Sequence, residues 1–197
     1  MDSWNGVSMM GTPDMGRRSI HIWTDALGHF GCGALDPVTQ SWIQLQWPQA
    51  YARDWVKLKD ESIALKELLP IVLVCAIWGV RWKGSAVTVY CDNLGVVQLV
   101  NSGYSRVPQI MHLLRCLFFI RAYFELELWA VHIPGKENTL ADAISHNDLL
   151  YFFSQVPGAA NGREVVPPTL LSLLTKQQPD WTSLAWTRLF RSYFTPA

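Results

Sequence analysis

Apolar and polar residues alternate at every second position from Ser19, where Ile20, Ile22 and Thr24 oppose His21, Trp23 and Asp25. A period of two marks a half-buried strand. GHFGCGALD and SWIQLQW continue the pattern, and the short Leu27-Gly28 and Asp36-Pro37 junctions predict antiparallel hairpins. Gly31 and Gly33 point to a bulge, or to another element approaching the backbone closely. After a polar, irregular stretch at 48–61 the period changes. ESIALKELLPIVLVCAIWGVRW places apolar residues at 64, 65, 68, 69, 72, 73, 76 and 77, the buried face of an amphipathic helix that also contains Pro70. AVTVYCD is nearly continuous apolar sequence, as in a buried parallel strand. Helices are predicted over Asn93–Asn101, Val107–Tyr123 and Asn138–His146. ELELWAVHI, with Leu126, Leu128 and Ala130 on one side, predicts a further strand.

The order βββ-α-β-α-α-β-α predicts an α/β fold. Its five-stranded mixed sheet has three antiparallel strands and then two parallel ones, flanked by helices. Residues 1–19 lack periodicity and read as a leader or upstream remnant, and 20–147 as the main domain. Residues 148–168 hold Pro157, Gly158, Gly162, Pro167 and Pro168, a linker signature. Residues 169–197 predict a helical C-terminal tail, with helices at Thr169–Lys176 and Asp180–Phe194. The second carries an apolar stripe of Trp186, Phe190 and Phe194.

Composition narrows the function. Half of the 197 residues are hydrophobic and net charge is zero, which excludes disorder over most of the length. Sixteen basic residues against sixteen acidic ones also disfavour a self-sufficient, strongly basic nucleic-acid binder. Low charge and ten Trp suggest a surface that partners cover. Cys32, Cys75, Cys91 and Cys116 form no C-x-x-C pair and lie in apolar runs, which predicts reduced core residues in an intracellular protein. The longest apolar run, Leu68–Val80, has 13 residues, so no membrane span is expected.

The scarce acids are placed informatively. Asp25 interrupts an apolar strand, Glu67 lies on the apolar helix, Asp92 ends the buried strand, and Asp142 lies in the helix that follows the last predicted strand. If the crossover makes the first and fourth strands parallel neighbours, Asp25 and Asp92 project near one end of the sheet, where open α/β sheets form their crevice. Four carboxylates converging there would raise one another's pKa unless cations neutralised them. Hard oxygen donors suit Mg²⁺ or Mn²⁺, and two such ions form the clamp of in-line phosphoryl displacement.

I-W-T-D-A-L-G at 22–28, K-E-L-L-P-I-V at 66–72, V-Y-C-D-N at 89–93 and H-I-P-G-K-E-N-T-L-A-D-A-I-S-H at 132–146 carry a resemblance. The chain resembles the ribonuclease H domain of retroelement reverse transcriptases, especially gypsy-like and DIRS-like elements of animals. The resemblance covers about residues 20–147 and implies a ribonuclease H-like fold. It also implies that Asp25, Glu67, Asp92 and Asp142 are the catalytic, metal-binding quartet, spaced by 42, 25 and 50 residues. The implied activity is metal-dependent endonucleolytic hydrolysis of the RNA strand of an RNA/DNA hybrid during reverse transcription, with two Mg²⁺ ions that Mn²⁺ can replace. The implied partners are the hybrid and an upstream reverse transcriptase domain in cis. Leu27 stands where the family usually has Ser, and His146 where it usually has Arg. The loop before Asp142 lacks the mobile His of some relatives, and His132 is expected to be packed or hydrogen-bonded.

Two other readings compete. Asp25, Asp92 and Glu127 suggest an integrase-like nuclease, but Glu127 falls in a strand pattern where that family needs a helix. A catalytically inactive module that tethers a polyprotein or binds a partner is the alternative from a different class. Selectivity for RNA requires contacts to 2′-hydroxyls. Asn93 and the loop around Lys136 and Asn138 are the candidates, through backbone or side chain, while Arg106, Arg115 and Arg121 are candidates for phosphates. The neutral charge then predicts a module that works weakly alone and better joined to its neighbours.

Overall fold

The alternation in SIHIWTDAL divides strand β1 (Ser19–Leu27) between two layers, and the rest of the chain is built outward from it. The computed structural model describes residues 16–47 and 61–175. β1, β2 (Gly31–Asp36) and β3 (Ser41–Gln46) form an antiparallel meander. Helix α1 (Glu61–Trp78) leads to β4 (Ala86–Cys91), which pairs parallel with β1. Helices α2 (Leu94–Ser102) and α3 (Pro108–Phe124) lead to β5 (Glu127–His132), parallel to β4. Then come α4 (Thr139–Ser145), α5 (Leu149–Gln155), β6 (Arg163–Glu164) and α6 (Pro168–Thr175). The described strands form one sheet in the order β5-β4-β1-β2-β3-β6.

One core contains Ile20 and Ile22 of β1, Val87 and Val89 of β4 and the apolar residues of α1, α2, α3 and α6. A second, smaller one joins Leu35 and Trp42 to Ile144 of α4 and Phe152 of α5. Helices therefore cover both faces, and the expected α/β class and mixed sheet are present. Helix α1 departs from the one-sided pattern read in the sequence. Leu68, Leu69 and every residue from Ile71 to Cys75 are fully buried, because other helices cover the side that the sheet does not. Gly79 ends this helix where an added Cβ would lie 2.3 Å from Cys75 O and from a Phe124 ring carbon.

The strand count and the linker need correction. The sheet has six strands rather than five, since Trp42 and Ile43 pair with Arg163 and Glu164. Two residues are too few to show a period in sequence. The stretch 148–168, expected as a linker, instead holds α5, a 3₁₀ turn at Pro157–Asn161 and β6. Its glycines serve close approach: a Cβ on Gly162 would sit 2.0 Å from Gln40 O. Of the C-terminal tail, α6 is described and packs into the main core through Leu170, Leu171 and Leu174. The expected helix at Asp180–Phe194 lies outside the described residues, as do residues 1–15.

Trp42 anchors this edge. Its indole Nε1–H donates to Ala159 O at 2.7 Å, and the Arg163 guanidinium lies over its ring. Trp42→Phe removes one of two donors to that carbonyl, the Gly162 N–H at 2.9 Å remaining, so a loss of about 0.5–1.5 kcal/mol is expected. In a thermal melt this corresponds to roughly 2–4 °C per kcal/mol for a chain of this size. An unchanged melting temperature would mean that 148–168 is detached from the sheet.

Candidate active site

Parallel register sets the first pair of acids. Trp23 pairs with Tyr90, and Asp25 and Asp92 each follow that pair by two residues, at the carboxyl ends of adjacent strands. Across the antiparallel neighbour, Asp25 lies opposite Gly33. Glu67 sits on α1 and accepts a backbone hydrogen bond from Ala26, next to Asp25. Asp142 lies in the first turn of α4, its N–H bonded to Asn138 O at 3.0 Å.

The acids gather in two groups. Asp25, Asp142 and His146 each offer one ligand atom within 4.8 Å of the others. Glu67, Cys91 and Asp92 do the same. The Cys91 thiol is pushed up to about 12, mainly by burial, and is no thiolate at neutral pH. The donors that remain are oxygens and one imidazole.

Burial dominates the electrostatics. Glu67 is raised to about 9 by desolvation and by the nearby Asp25 and Asp92 carboxylates, against the Ala26 hydrogen bond. Asp25 is raised to about 6 by desolvation and by Asp92 and Asp142, opposed by the Ser145 hydroxyl and His146. Glu67 Oε2 is buried and has no hydrogen-bond partner among the described residues. An orphaned carboxylate oxygen facing other carboxylates fits a divalent cation as its missing partner.

These shifts set a stability dependence. Both acids bind protons more tightly in the folded chain. Their contribution is therefore complete below the ordinary values of 3.8 and 4.5 and is lost as pH rises toward about 6 and 9. Glu67→Gln keeps the shape and removes the need to hold a proton on Glu67 in the folded chain above its ordinary value. In chelator at pH 8 the variant is expected to be more stable by about 1–3 kcal/mol. Melts from pH 5 to pH 9 check this: the wild type should lose stability across the range more steeply than the variant.

The second layer around Asp25 was not foreseen. Ser145 donates its hydroxyl to Asp25 Oδ2, and Asn138 donates Nδ2–H to Thr24 O at 3.0 Å and to Asp25 Oδ1 at 3.4 Å. The signal was present, since Asn138 and Ser145 stand four residues before and three after Asp142 and so share its helix side. Lys66, also buried, donates to Gly28 O and ties the β1–β2 turn to α1; nothing in the sequence marked it.

The expected substrate contacts fare unequally. Asn138 is 1% exposed and committed to β1, so its side chain is not available to a 2′-hydroxyl. Asn93 caps α2 through Oδ1, which accepts from Val96 N, and stands at the rim beside Asp92. Lys136 is exposed in the 3₁₀ turn at Gly135–Glu137, where a Cβ on Gly135 would lie 3.2 Å from Asp92 Oδ2. Arg106 and Arg115 are exposed, in the α2–α3 turn and on α3. Arg121 does not join the site: its carbonyl accepts from Leu126 N and it feels Glu127, at the start of β5. Glu127 itself pairs with Ala86 at the opposite end of the parallel strands, which removes the integrase-like reading. His132 is hydrogen-bonded as expected, its Nε2 3.1 Å from Asp92 O. All four cysteines are free and buried, and no described helix is long and apolar enough to cross a membrane.

The sequence matches no protein-family model and no curated protein. Among solved structures, the chain is similar to RNase H1 from the halophilic archaeon Halobacterium salinarum NRC-1. Identity is 10% and the TM-score 0.47, over 66% of this chain and 99% of that one. It is also similar to LC11-RNase H1, isolated from compost by a metagenomic approach. There identity is 16% and the TM-score 0.42, over 67% of this chain and 98% of that one.

Proposed function

We propose that this chain is a divalent-cation-dependent endonuclease that hydrolyses the RNA strand of RNA/DNA hybrids, as the ribonuclease H module of a retroelement polyprotein. The observation that carries the reading is the gathering of Asp25, Glu67, Asp92 and Asp142 at one end of the sheet, with Glu67 Oε2 orphaned among them. The four motifs in order support the nuclease class and the retroelement setting. Asp25, Asp142, Glu67 and Asp92 hold two divalent cations, Mg²⁺ or Mn²⁺. When bound, such ions supply Lewis-acid polarisation of a phosphoryl oxygen and lower the pKa of an attacking water.

The chain's own residues do the rest. Ser145 and Asn138 hold the Asp25 carboxylate in place by hydrogen bonds to both its oxygens. Burial keeps Glu67 from ionising until a cation compensates it, so the site assembles only when loaded. Asn93 and Lys136, at the rim, contact the ribose 2′-hydroxyls that mark the RNA strand. Arg106 and Arg115 contact phosphates farther out. An upstream reverse transcriptase domain in cis supplies the basic grip that a neutral chain lacks. The setting is intracellular.

Labelled RNA/DNA hybrid, duplex RNA and duplex DNA are incubated with the chain in Mg²⁺ or Mn²⁺, alone and joined to its upstream domain. Cleavage confined to the RNA of the hybrid is expected, stronger in the joined form. Absence of cleavage in both forms sinks the proposal.

A further inference from the structure

The two halves of the carboxylate cluster differ in their donors. Glu67 and Asp92 offer oxygens, and the neighbouring Cys91 thiol stays protonated. Asp25 and Asp142 are instead joined by an imidazole, a ring nitrogen of His146 lying within 4.8 Å of both their oxygens. His146 ends α4 one turn after Asp142, so its position depends on the same helix that delivers the carboxylate. Its Nδ1 sits 2.9 Å from Asp142 O. The same Nδ1 faces the Asp142 carboxylate, 3.3 Å from Oδ1, so the ring edge is turned toward the acids.

An independent mark of a ligand comes from the other half, where Glu67 Oε2 is buried without a partner among the described residues. Oxygen-only sites suit Mg²⁺, whereas imidazole suits first-row transition ions. Mg²⁺ also sheds water reluctantly and so gains little from a nitrogen donor.

On the nuclease reading above, we infer that His146 is a nitrogen ligand to the cation held by Asp25 and Asp142, and that this half of the site selects Mn²⁺ over Mg²⁺. Nitrogen in the ligand set distinguishes this from a mere His146–Asp142 ion pair, in which the 3.3 Å contact between Nδ1 and Asp142 Oδ1 needs no metal.

Mn²⁺ is paramagnetic and reports its ligands directly. Full-length protein is titrated with Mn²⁺ and examined by pulsed electron paramagnetic resonance, wild type against His146→Gln. The expected wild-type signal shows nitrogen modulation from a directly bound imidazole, and the variant loses it. The preference for Mn²⁺ over Mg²⁺, read by competition, falls by about tenfold in the variant. Because His146 is exposed, the variant should melt as the wild type does, and His146→Asn serves as a second replacement. Mn²⁺ bound without nitrogen modulation overturns the inference and leaves the nuclease reading standing. So does modulation that survives in both variants. Failure of Mn²⁺ to bind the wild type at millimolar concentration overturns both.

Discussion

Asp25→Asn is expected to lower hybrid cleavage by about 10³-fold or more, corresponding to about 4 kcal/mol of lost transition-state stabilisation. The expectation follows from position. Asp25 belongs to one group of donors with Asp142 and His146 and is coupled electrostatically to Glu67 and Asp92. A neutral amide there weakens cation binding in both halves at once. The fold should survive, because Asn keeps the size of the side chain and one acceptor for Ser145. Removal of one charge from a buried acidic group should even leave the cation-free protein as stable as before, or slightly more so. Cleavage, Mn²⁺ affinity and thermal melting are measured together. Loss of cleavage and affinity with an unchanged melt supports the assignment; cleavage within tenfold of wild type refutes it.

Gly33→Val should damage both stability and activity. A Cβ at Gly33 would lie 2.5 Å from Ile144 Cγ2 and 3.0 Å from the backbone nitrogen of Ser145. The first neighbour is a branched, fully buried side chain and the second is main chain, so α4 itself must move. Overpacking of this kind costs about 1–3 kcal/mol. The same helix carries Asp142, Ser145 and His146, and a displacement of about 1 Å in a catalytic group costs roughly 10²-fold in rate. Gly33→Ala combined with Ile144→Ala should recover part of both losses, since the two positions share one space. A Gly33→Val protein as stable and active as wild type would mean that α4 does not rest on β2.

Much of the architecture was legible because it repeats along the chain. The alternation in β1, the apolar run of β4 and the Leu126, Leu128 and Ala130 side of the β5 segment each matched the structure. The turn between predicted helices ended them within a residue or so: Asn93 became the cap of α2 rather than its first residue. The misses share a cause. β6 is two residues long, α1 is covered by elements distant in sequence, and the glycines of 148–168 looked like a linker while meeting Gln40 at contact distance. Each depends on what packs against the segment, which no local window contains. The use of the Asn138 amide was hidden for the same reason: burial gives it to Thr24 and Asp25, which leaves only the backbone of its loop to meet a sugar hydroxyl.

Alone, the sequence determined the elements between Ser19 and His146, their order and the identity of four unusual acids, because periodicity and residue chemistry are properties of neighbouring positions. The parallel register of β1 with β4, the seat of α4 on Gly33 and the orphaned oxygen of Glu67 were decided only in three dimensions. Positions separated by 42, 25 and 50 residues acquire a distance only when a sheet and its helices close on one core. The same closure, by removing water from Glu67 and Asp25, turns ordinary carboxyls into groups that call for a cation.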